Sequence, residues 1–524
     1  MNGSKFLPAL VCAVCCAFQI PAQAAPPRSV QAEVKPIPKT DPAAQRLPRS
    51  VLAHLPKLDA RLAMPPLDRT AIDMQDALPR SGEKALRIGV VRNLAEASPV
   101  GAKSADGQWQ ALPDGSHVWR MSLTAESAFG IRVHIGQIQL PEGCAFTVYE
   151  TADPARLRGP YALSDLNGRN EFWTGTVFAD AVTVECHAPA GTPPETVRFV
   201  VDRIVHVYRD PLSIAKEGSC NIDLACHPSW ASTGNAVAGI GSISDADDYM
   251  WCTGCLLNDQ VPSTYVDYFM TANHCVGSQT EANDTEFYWF FQTASCGGSP
   301  PSLSAVPQTS GGADYLAGRT RASGNDFAFL RLRTAAPGGV TYAGWSVDAP
   351  GAETLTGIHH PDGAFKRISF GSPAGSDANY WSVQWSWGVT EPGSSGSPLF
   401  NSSQQFIGQL WGGESACDYP TGIDEYGRFN VSYAVIQGWL NGEEPPAEST
   451  TYFSAGQTVR TTGAGWSRTY VMDLTNFQNL AVQDGYQAYA TSYHLYYDIW
   501  NGIYIYDYNL GAFSALTWLI NLDL

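Results

Sequence analysis

The stretch Gly393-Ser394-Ser395-Gly396-Ser397-Pro398 decides the reading of this chain, taken together with Thr271-Ala272-Asn273-His274-Cys275 upstream of it. A serine hydroxyl is a weak nucleophile at neutral pH, so acyl transfer needs a neighbouring base and backbone N–H groups aimed at the developing oxyanion. Glycines on either side of Ser395 allow a tight turn in which the N–H groups of Gly393 and Ser395 converge while the hydroxyl stays exposed. His274 supplies the base, beside a cysteine able to staple its loop. Between them, Asp326 opens the alternating run Phe327-Ala328-Phe329-Leu330-Arg331-Leu332, a strand pattern.

Each piece alone is weak, since small-residue runs are common in turns and a His-Cys pair is commonly core. Their order, His274, Asp326, Ser395, is that of chymotrypsin-type sites rather than of subtilisin or the α/β-hydrolases. Asp314 and Asp284 compete for the carboxylate role but lack the following alternating strand.

Working outward, the 524 residues allow several domains, and 44 % hydrophobic with 11 % aromatic residues fits a globular, β-rich protein. Residues 1–24 read as a signal peptide: Lys5, an apolar core from Phe6 to Ile20, and Ala22-Gln23-Ala24 as the cleavage site after Ala24. Later segments are too short in apolar residues to span a membrane, so a secreted, extracellular protein is expected. Residues 25 to about 83 are rich in Pro and Ala without period and read as a loosely ordered lead-in. Period-2 runs at 129–135, 182–186 and 197–201, with a weaker one at 173–178, suggest a small β-sandwich over about 84–210. Its cysteines, Cys144 and Cys186, would pair in an oxidising compartment.

Residues 1–216 carry 7 Lys, 16 Arg and 21 acids, a net of +2, whereas residues 217–524 carry 1 Lys, 8 Arg and 29 acids, a net of −20. The front half, 25–216, reads as a propeptide that assists folding and covers the active site, with an accessory domain as the alternative. Beyond residues 217–440 comes the acidic linker 441–449. Residues 450–524, with 16 aromatics in 75 positions, read as a small β domain whose aromatic rows form a core, with substrate anchoring or export as alternatives.

Within 217–440, Ser219-Cys220-Asn221-Ile222-Asp223-Leu224-Ala225-Cys226, Cys252-Thr253-Gly254, the His274 stretch, Ile358-His359-His360-Pro361, Gly388-Val389-Thr390-Glu391-Pro392-Gly393-Ser394-Ser395 and Tyr426-Gly427-Arg428 resemble the secreted bacterial lysyl endopeptidases. The resemblance implies an all-β, chymotrypsin-like double β-barrel, here preceded by a β-rich propeptide domain and followed by a small aromatic-rich β domain. It also implies the disulfides Cys220–Cys417, Cys226–Cys296 and Cys252–Cys275; Cys255 departs from the family pattern, and its neighbours Leu256 and Leu257 suggest a buried, inert thiol, with a reactive one as the alternative.

Specificity follows the resemblance. The trypsin-like layout places an aspartate six residues before the serine, where this chain has Val389; the lysyl endopeptidases place it after the serine, at Asp424 here. A buried carboxylate against a substrate ammonium discriminates strongly, because a neutral side chain leaves the charge unpaired. Trp411 stands where the family's best-known members have His. Their tryptophan beside the catalytic histidine has no clear counterpart, Trp381 being a weak candidate. His359 and His360, adjacent on a strand, point to opposite faces, so no metal is expected, and no cofactor or nucleic-acid partner either.

The Lys scarcity after residue 216 suits an enzyme that cuts after lysine, and Lys216 is the expected processing site, releasing Glu217. The function expected is a secreted, monomeric serine endopeptidase that hydrolyses protein and peptide substrates after lysine, with its own propeptide as folding aid and inhibitor. The rival readings are broader Lys/Arg specificity and an inactive protease-fold binding protein.

Overall fold

The strand Asp248–Leu256 carries three neighbours, Val237–Ile243 along one edge and Tyr268–Thr271 and Leu86–Asn93 in succession along the other. Its residues Met250-Trp251-Cys252-Thr253-Gly254-Cys255-Leu256 are buried on both faces save Met250, which is why the run is apolar without a clean alternation. The coordinates are a computed structural model that describes residues 28–37, 47–58, 61–77, 82–96, 102–103, 109–209, 220–442 and four short strands after residue 457.

From this strand the sheet extends through Val237–Ile243, Glu286–Tyr288 and Gln308–Thr309, and on its other side through Tyr268–Thr271, Phe327–Leu332 and Ala313–Arg319. These strands form the first barrel, cored by Leu256, Phe269, Phe287, Trp289 and Leu330. The second barrel is closed. Leu355–His359, Arg367–Ser376, Tyr380–Trp387, Ile423–Arg428, Phe406–Gly413 and Pro398–Phe400 pair in a ring around Leu355, Trp385, Leu399, Leu410 and Tyr426. The helix Phe429–Leu440 then buries Phe429, Ile436 and Leu440 against Trp345 and Phe406 at the seam. Lys366, the single lysine after residue 216, is fully buried there, donating to Gly234 O (2.6 Å) and Gln292 Oε1 (3.0 Å).

The front domain is two sheets around its own core. One holds Leu157–Ala162, Ala145–Glu150, Ala181–Ala188, His117–Thr124 and Arg61–Ala63; the other holds Phe172–Trp173, Gly130–Gln139, Arg198–Val207 and Leu86–Asn93. Trp119, Val133, Phe146, Val184 and Phe199 fill the space between. The second sheet runs without interruption into the first barrel, where Leu86 faces Trp251 and Arg87 faces Met250. A shared apolar cluster of Leu86, Ile88, Trp173, Val205, Tyr249, Trp251 and Tyr288 seals this junction. At its centre Glu286, fully buried, accepts from Thr176 N (2.9 Å) and from the hydroxyls of Tyr249 and Tyr288. Burial penalises its charge, but Arg132 and these donors outweigh that and hold the carboxyl below its usual range.

Two expectations are corrected. The lead-in is not uniformly loose: Ser29–Val30 pairs with Trp345–Ser346, Glu33–Val34 pairs with Thr341–Tyr342, and Lys35 Nζ donates to Ala336 O at 2.9 Å. Two-residue strands that borrow a partner's edge leave no period in the sequence. Cys144 and Cys186 are not bonded; both are buried free thiols. Cys186 lies opposite Phe146 within the strand pair, whereas Cys144 comes one residue before the strand Ala145–Glu150 begins. The other three pairs, Cys220–Cys417, Cys226–Cys296 and Cys252–Cys275, are all formed.

Residues 444–524 are a separate compact unit. In it Thr458–Arg460 pairs with Val471–Asp473, and Tyr493–Asp498 pairs with Gly502–Asp507, the strand that carries most of the Ile503–Tyr508 alternation. Among the described residues no helix is long and apolar enough to cross a membrane.

Candidate active site

Three loops meet at the cleft between the barrels. His274 follows the strand Tyr268–Thr271, in a loop tied by Cys252–Cys275. Asp326 precedes Phe327–Leu332 with a left-handed backbone, φ 52°, held by Gln409 Nε2, which donates to Asn325 O (2.8 Å) and Asp326 O (3.3 Å). That turn swings the carboxylate under the imidazole. Asp326 Oδ2 lies 2.7 Å from His274 Nδ1, Oδ1 accepts from His274 N at 3.2 Å, and Nε2 lies 2.7 Å from Ser395 Oγ. Nδ1–H is thereby committed to the carboxylate, leaving Nε2 to accept from the serine. Burial disfavours the imidazolium, yet the charge and hydrogen bond of Asp326, helped by Glu83, prevail and raise the His274 pKa.

The serine turn needs its glycines. Gly393 has φ +98° and a Cβ there would come within 2.6 Å of His360 O; Gly396 has φ +78° and its Cβ would meet Thr271 Oγ1 at 2.2 Å. Ser394, between them in the chain, is turned inward, its hydroxyl 2.8 Å from His359 Nδ1, while His359 Nε2 lies 3.1 Å from Ser369 Oγ. With this backing the N–H groups of Gly393 and Ser395 converge on one acceptor, the backbone carbonyl oxygen of Lys84, at 2.5 and 3.2 Å.

The same Lys84 fills the pocket beside the serine. Its Nζ donates to Asp424 Oδ1 (2.8 Å), Ser415 O (2.8 Å), Ser415 Oγ (3.0 Å), Thr390 O (3.0 Å) and Thr390 Oγ1 (2.6 Å). Asp424 is fully buried, and its Oδ2 accepts from Trp385 Nε1, Thr390 Oγ1 and Ser415 Oγ, each at 2.6 Å, while Ser415 N donates to Oδ1 at 3.2 Å. Burial lowers the Lys84 pKa, opposed by Asp424 and Glu391. Val389 is buried in the wall and uses its carbonyl to accept from Ser369 Oγ at 2.8 Å.

Trp411 borders the approach to this pocket. A Cβ on Gly82 would lie 2.8 Å from its ring, and the Arg321 guanidinium sits 3.5 Å above the ring centre. Trp381 is a core residue, donating to Ile407 O at 3.1 Å. His360 stacks on Phe291 with its Nδ1 on Ala364 O (2.8 Å), and burial depresses the pKa of both His359 and His360 to about 3. The group Cys252, His274, Cys275 draws close together, but its two sulfurs are one disulfide and offer no thiolate. Cys255 is buried and burial pushes its thiol far up. Asp314 is spent on Arg331 and Arg333. Ala24 and Lys216 lie outside the described residues.

Sequence reasoning missed Thr390, Ser415 and Trp385 around Asp424, and Lys84 altogether. Thr390 stood inside the quoted stretch but carries no mark beyond an ordinary hydroxyl.

Two family models match the chain: the lysyl endopeptidase N-terminal domain over residues 63–208 and the lysyl endopeptidase C-terminal domain over residues 214–427. A lysyl endopeptidase of Pseudomonas aeruginosa is 30 % identical over 376 residues, 64 % of this chain and 77 % of that protein. Among solved structures, the active form of the Rv3671c protease from M. tuberculosis aligns over 41 % of this chain and 85 % of its own, at 17 % identity and a TM-score of 0.28. The HtrA-type protease AlgW aligns over 41 % and 63 %, at 14 % identity and a TM-score of 0.29. The matches to both halves and the extent of the Pseudomonas alignment place this protein, a serine endopeptidase, in the lysyl endopeptidase family.

Proposed function

We propose that this is a secreted endopeptidase that hydrolyses the bond after lysine through His274, Asp326 and Ser395. The observation that carries the specificity is a lysine, Lys84, seated with its ammonium on the buried Asp424 and its carbonyl between the N–H groups of Gly393 and Ser395. That is the pose a substrate needs: charge recognised, carbonyl polarised, hydroxyl adjacent.

In the cycle, Ser395 Oγ attacks the lysyl carbonyl carbon as His274 Nε2 takes its proton. Asp326 stabilises the imidazolium without taking the proton itself. The tetrahedral oxyanion is held by the N–H groups of Gly393 and Ser395, His274 protonates the leaving amine, and water resolves the acyl-enzyme by the reverse relay.

Lysine is favoured over arginine by the layout of the pocket floor. Three donors from Trp385, Thr390 and Ser415 occupy Asp424 Oδ2. One carboxylate oxygen is left for substrate, enough for an ammonium but not for the paired hydrogen bonds of a guanidinium fork. The wild-type enzyme and Asp424→Asn should be compared on a peptide mixture with all cleavage sites mapped. Cuts confined to Lys-Xaa bonds and lost in the variant support the reading; equal cutting after arginine would replace it with the broader one.

The three disulfides accord with export to an oxidising compartment. The front domain, laid across the cleft, accords with a propeptide.

A further inference from the structure

We propose that Lys84–Ala85 is itself a bond that Ser395 cuts, within the same molecule, as the first processing event of the precursor; this rests on the lysyl endopeptidase reading above. Lys84 is more than a plug, because the chain on both sides of it is laid out as a substrate. Ahead of it, Gly413 N donates to Gly82 O at 2.9 Å and Glu83 bridges Gly412 in antiparallel sense. After it, the chain does not turn away from the cleft. Leu86 and Arg87 pair with Trp251 and Met250, and the Arg87 guanidinium donates to Asp76 (2.8 Å) and Asp248 (3.0 Å). The acyl side and the leaving side of one peptide bond are therefore both held, with Ser395 Oγ 2.7 Å from its base and the carbonyl oxygen already between its two donors.

The step balances without a co-reactant other than water. Ser395 Oγ bonds to the Lys84 carbonyl carbon while its proton passes to His274 Nε2; the Lys84–Ala85 C–N bond breaks and that proton goes to the Ala85 nitrogen. Water then cleaves the ester, leaving the Lys84 carboxylate, the Ala85 amine and a restored serine. Because pairing with the Asp248–Leu256 strand keeps Ala85 beside the ester, its amine re-attacks in competition with water, as an intramolecular nucleophile of high effective concentration. Hydrolysis is accordingly slow, and the pieces stay together after it. The pocket holds one ammonium at a time, so any other lysine, Lys216 included, enters only once Lys84 has left.

The test uses the full precursor without its signal segment, purified and held at neutral pH, with fragments read by denaturing mass spectrometry and amino-terminal sequencing, and association read by native size exclusion. The expected result is a new terminus, Ala85-Leu86-Arg87, that precedes any terminus at Glu217. It should form with a rate constant unchanged over a hundredfold dilution, as two co-eluting pieces. Ser395→Ala should abolish it. Lys84→Gln should lower its formation by about a hundredfold or more, since the pocket carboxylate loses its partner, and should bring lysyl peptidase activity on earlier. Lys84→Arg, which keeps a cation on the strap, should slow it by about tenfold or more for want of the guanidinium fork's second acceptor. Absence of the Ala85 terminus while processed enzyme accumulates, or a rate proportional to concentration, would overturn the proposal. A small lysyl peptide assayed in parallel separates the two readings: peptide cleavage without an Ala85 terminus sinks this inference alone, and no peptide cleavage sinks the specificity reading and this one with it.

Discussion

Replacing Asp424 with asparagine isolates the charge at the pocket floor without changing its shape. The three donors on Oδ2 oblige the asparagine oxygen to take that position, so its NH2 group replaces Oδ1 and points at Ser415 N–H and at the incoming ammonium. Removing one member of a buried ion pair costs about 3–5 kcal/mol. At 1.36 kcal/mol per decade that is a loss of about 160-fold to about 5,000-fold in kcat/KM for a lysyl substrate. A matched substrate with methionine in place of lysine, which never used the charge, should change by less than about threefold on the same reasoning. The assay is kcat/KM for the pair on processed enzyme, with active sites counted by fluorophosphonate labelling. A lysine-specific loss under tenfold, or equal losses for both substrates, would refute the assignment of Asp424.

Asp326→Asn should lower kcat by about 10³- to 10⁴-fold. Asp326 raises the His274 pKa and the base must be neutral, so wild-type kcat/KM should fall with decreasing pH along a limb lying above the ordinary imidazole value of about 6.5. In the variant that limb moves down. Thiol counting under denaturing, non-reducing conditions should find three free cysteines, Cys144, Cys186 and Cys255, in the precursor lacking its signal segment. One free cysteine there would mean that Cys144 and Cys186 are bonded after all. Lys366, depressed to about 7 by burial, binds its proton more weakly folded than unfolded. Stability should therefore rise between pH 7 and 10, by at most about 1.4 kcal/mol per pH unit. Lys366→Met should flatten that slope in thermal melts of the processed enzyme.

The residues around Ser395 and His274 were readable because a tight oxyanion turn and a stapled loop are local demands, met by glycines and a cysteine within a few positions. Asp326 was readable from the alternation that follows it. Asp424 and the three disulfides came with the family resemblance rather than from spacing. The docking of Lys84 was not readable, because it depends on contacts spanning 306 to 340 residues and on a strand of one domain completing the sheet of another. The same limit hid the two-residue strands at 29–30 and 33–34. The Cys144–Cys186 expectation failed because two cysteines in one core need not face each other: Cys186 sits inside the strand Ala181–Ala188, Cys144 falls one residue before the strand Ala145–Glu150 that pairs with it, and both stay free.

Burial of Lys366 has a consequence for how the enzyme loses activity in storage. On the lysine specificity proposed above, a molecule trimmed of residues 1–216 presents no cleavable bond while folded, because Lys366 is its single lysine and is fully buried. A molecule that has opened, however, exposes one in the middle of its sequence and becomes food for its intact neighbours. Decay should therefore follow the rare excursions of single molecules out of the native state, with each casualty removed from solution rather than left to aggregate.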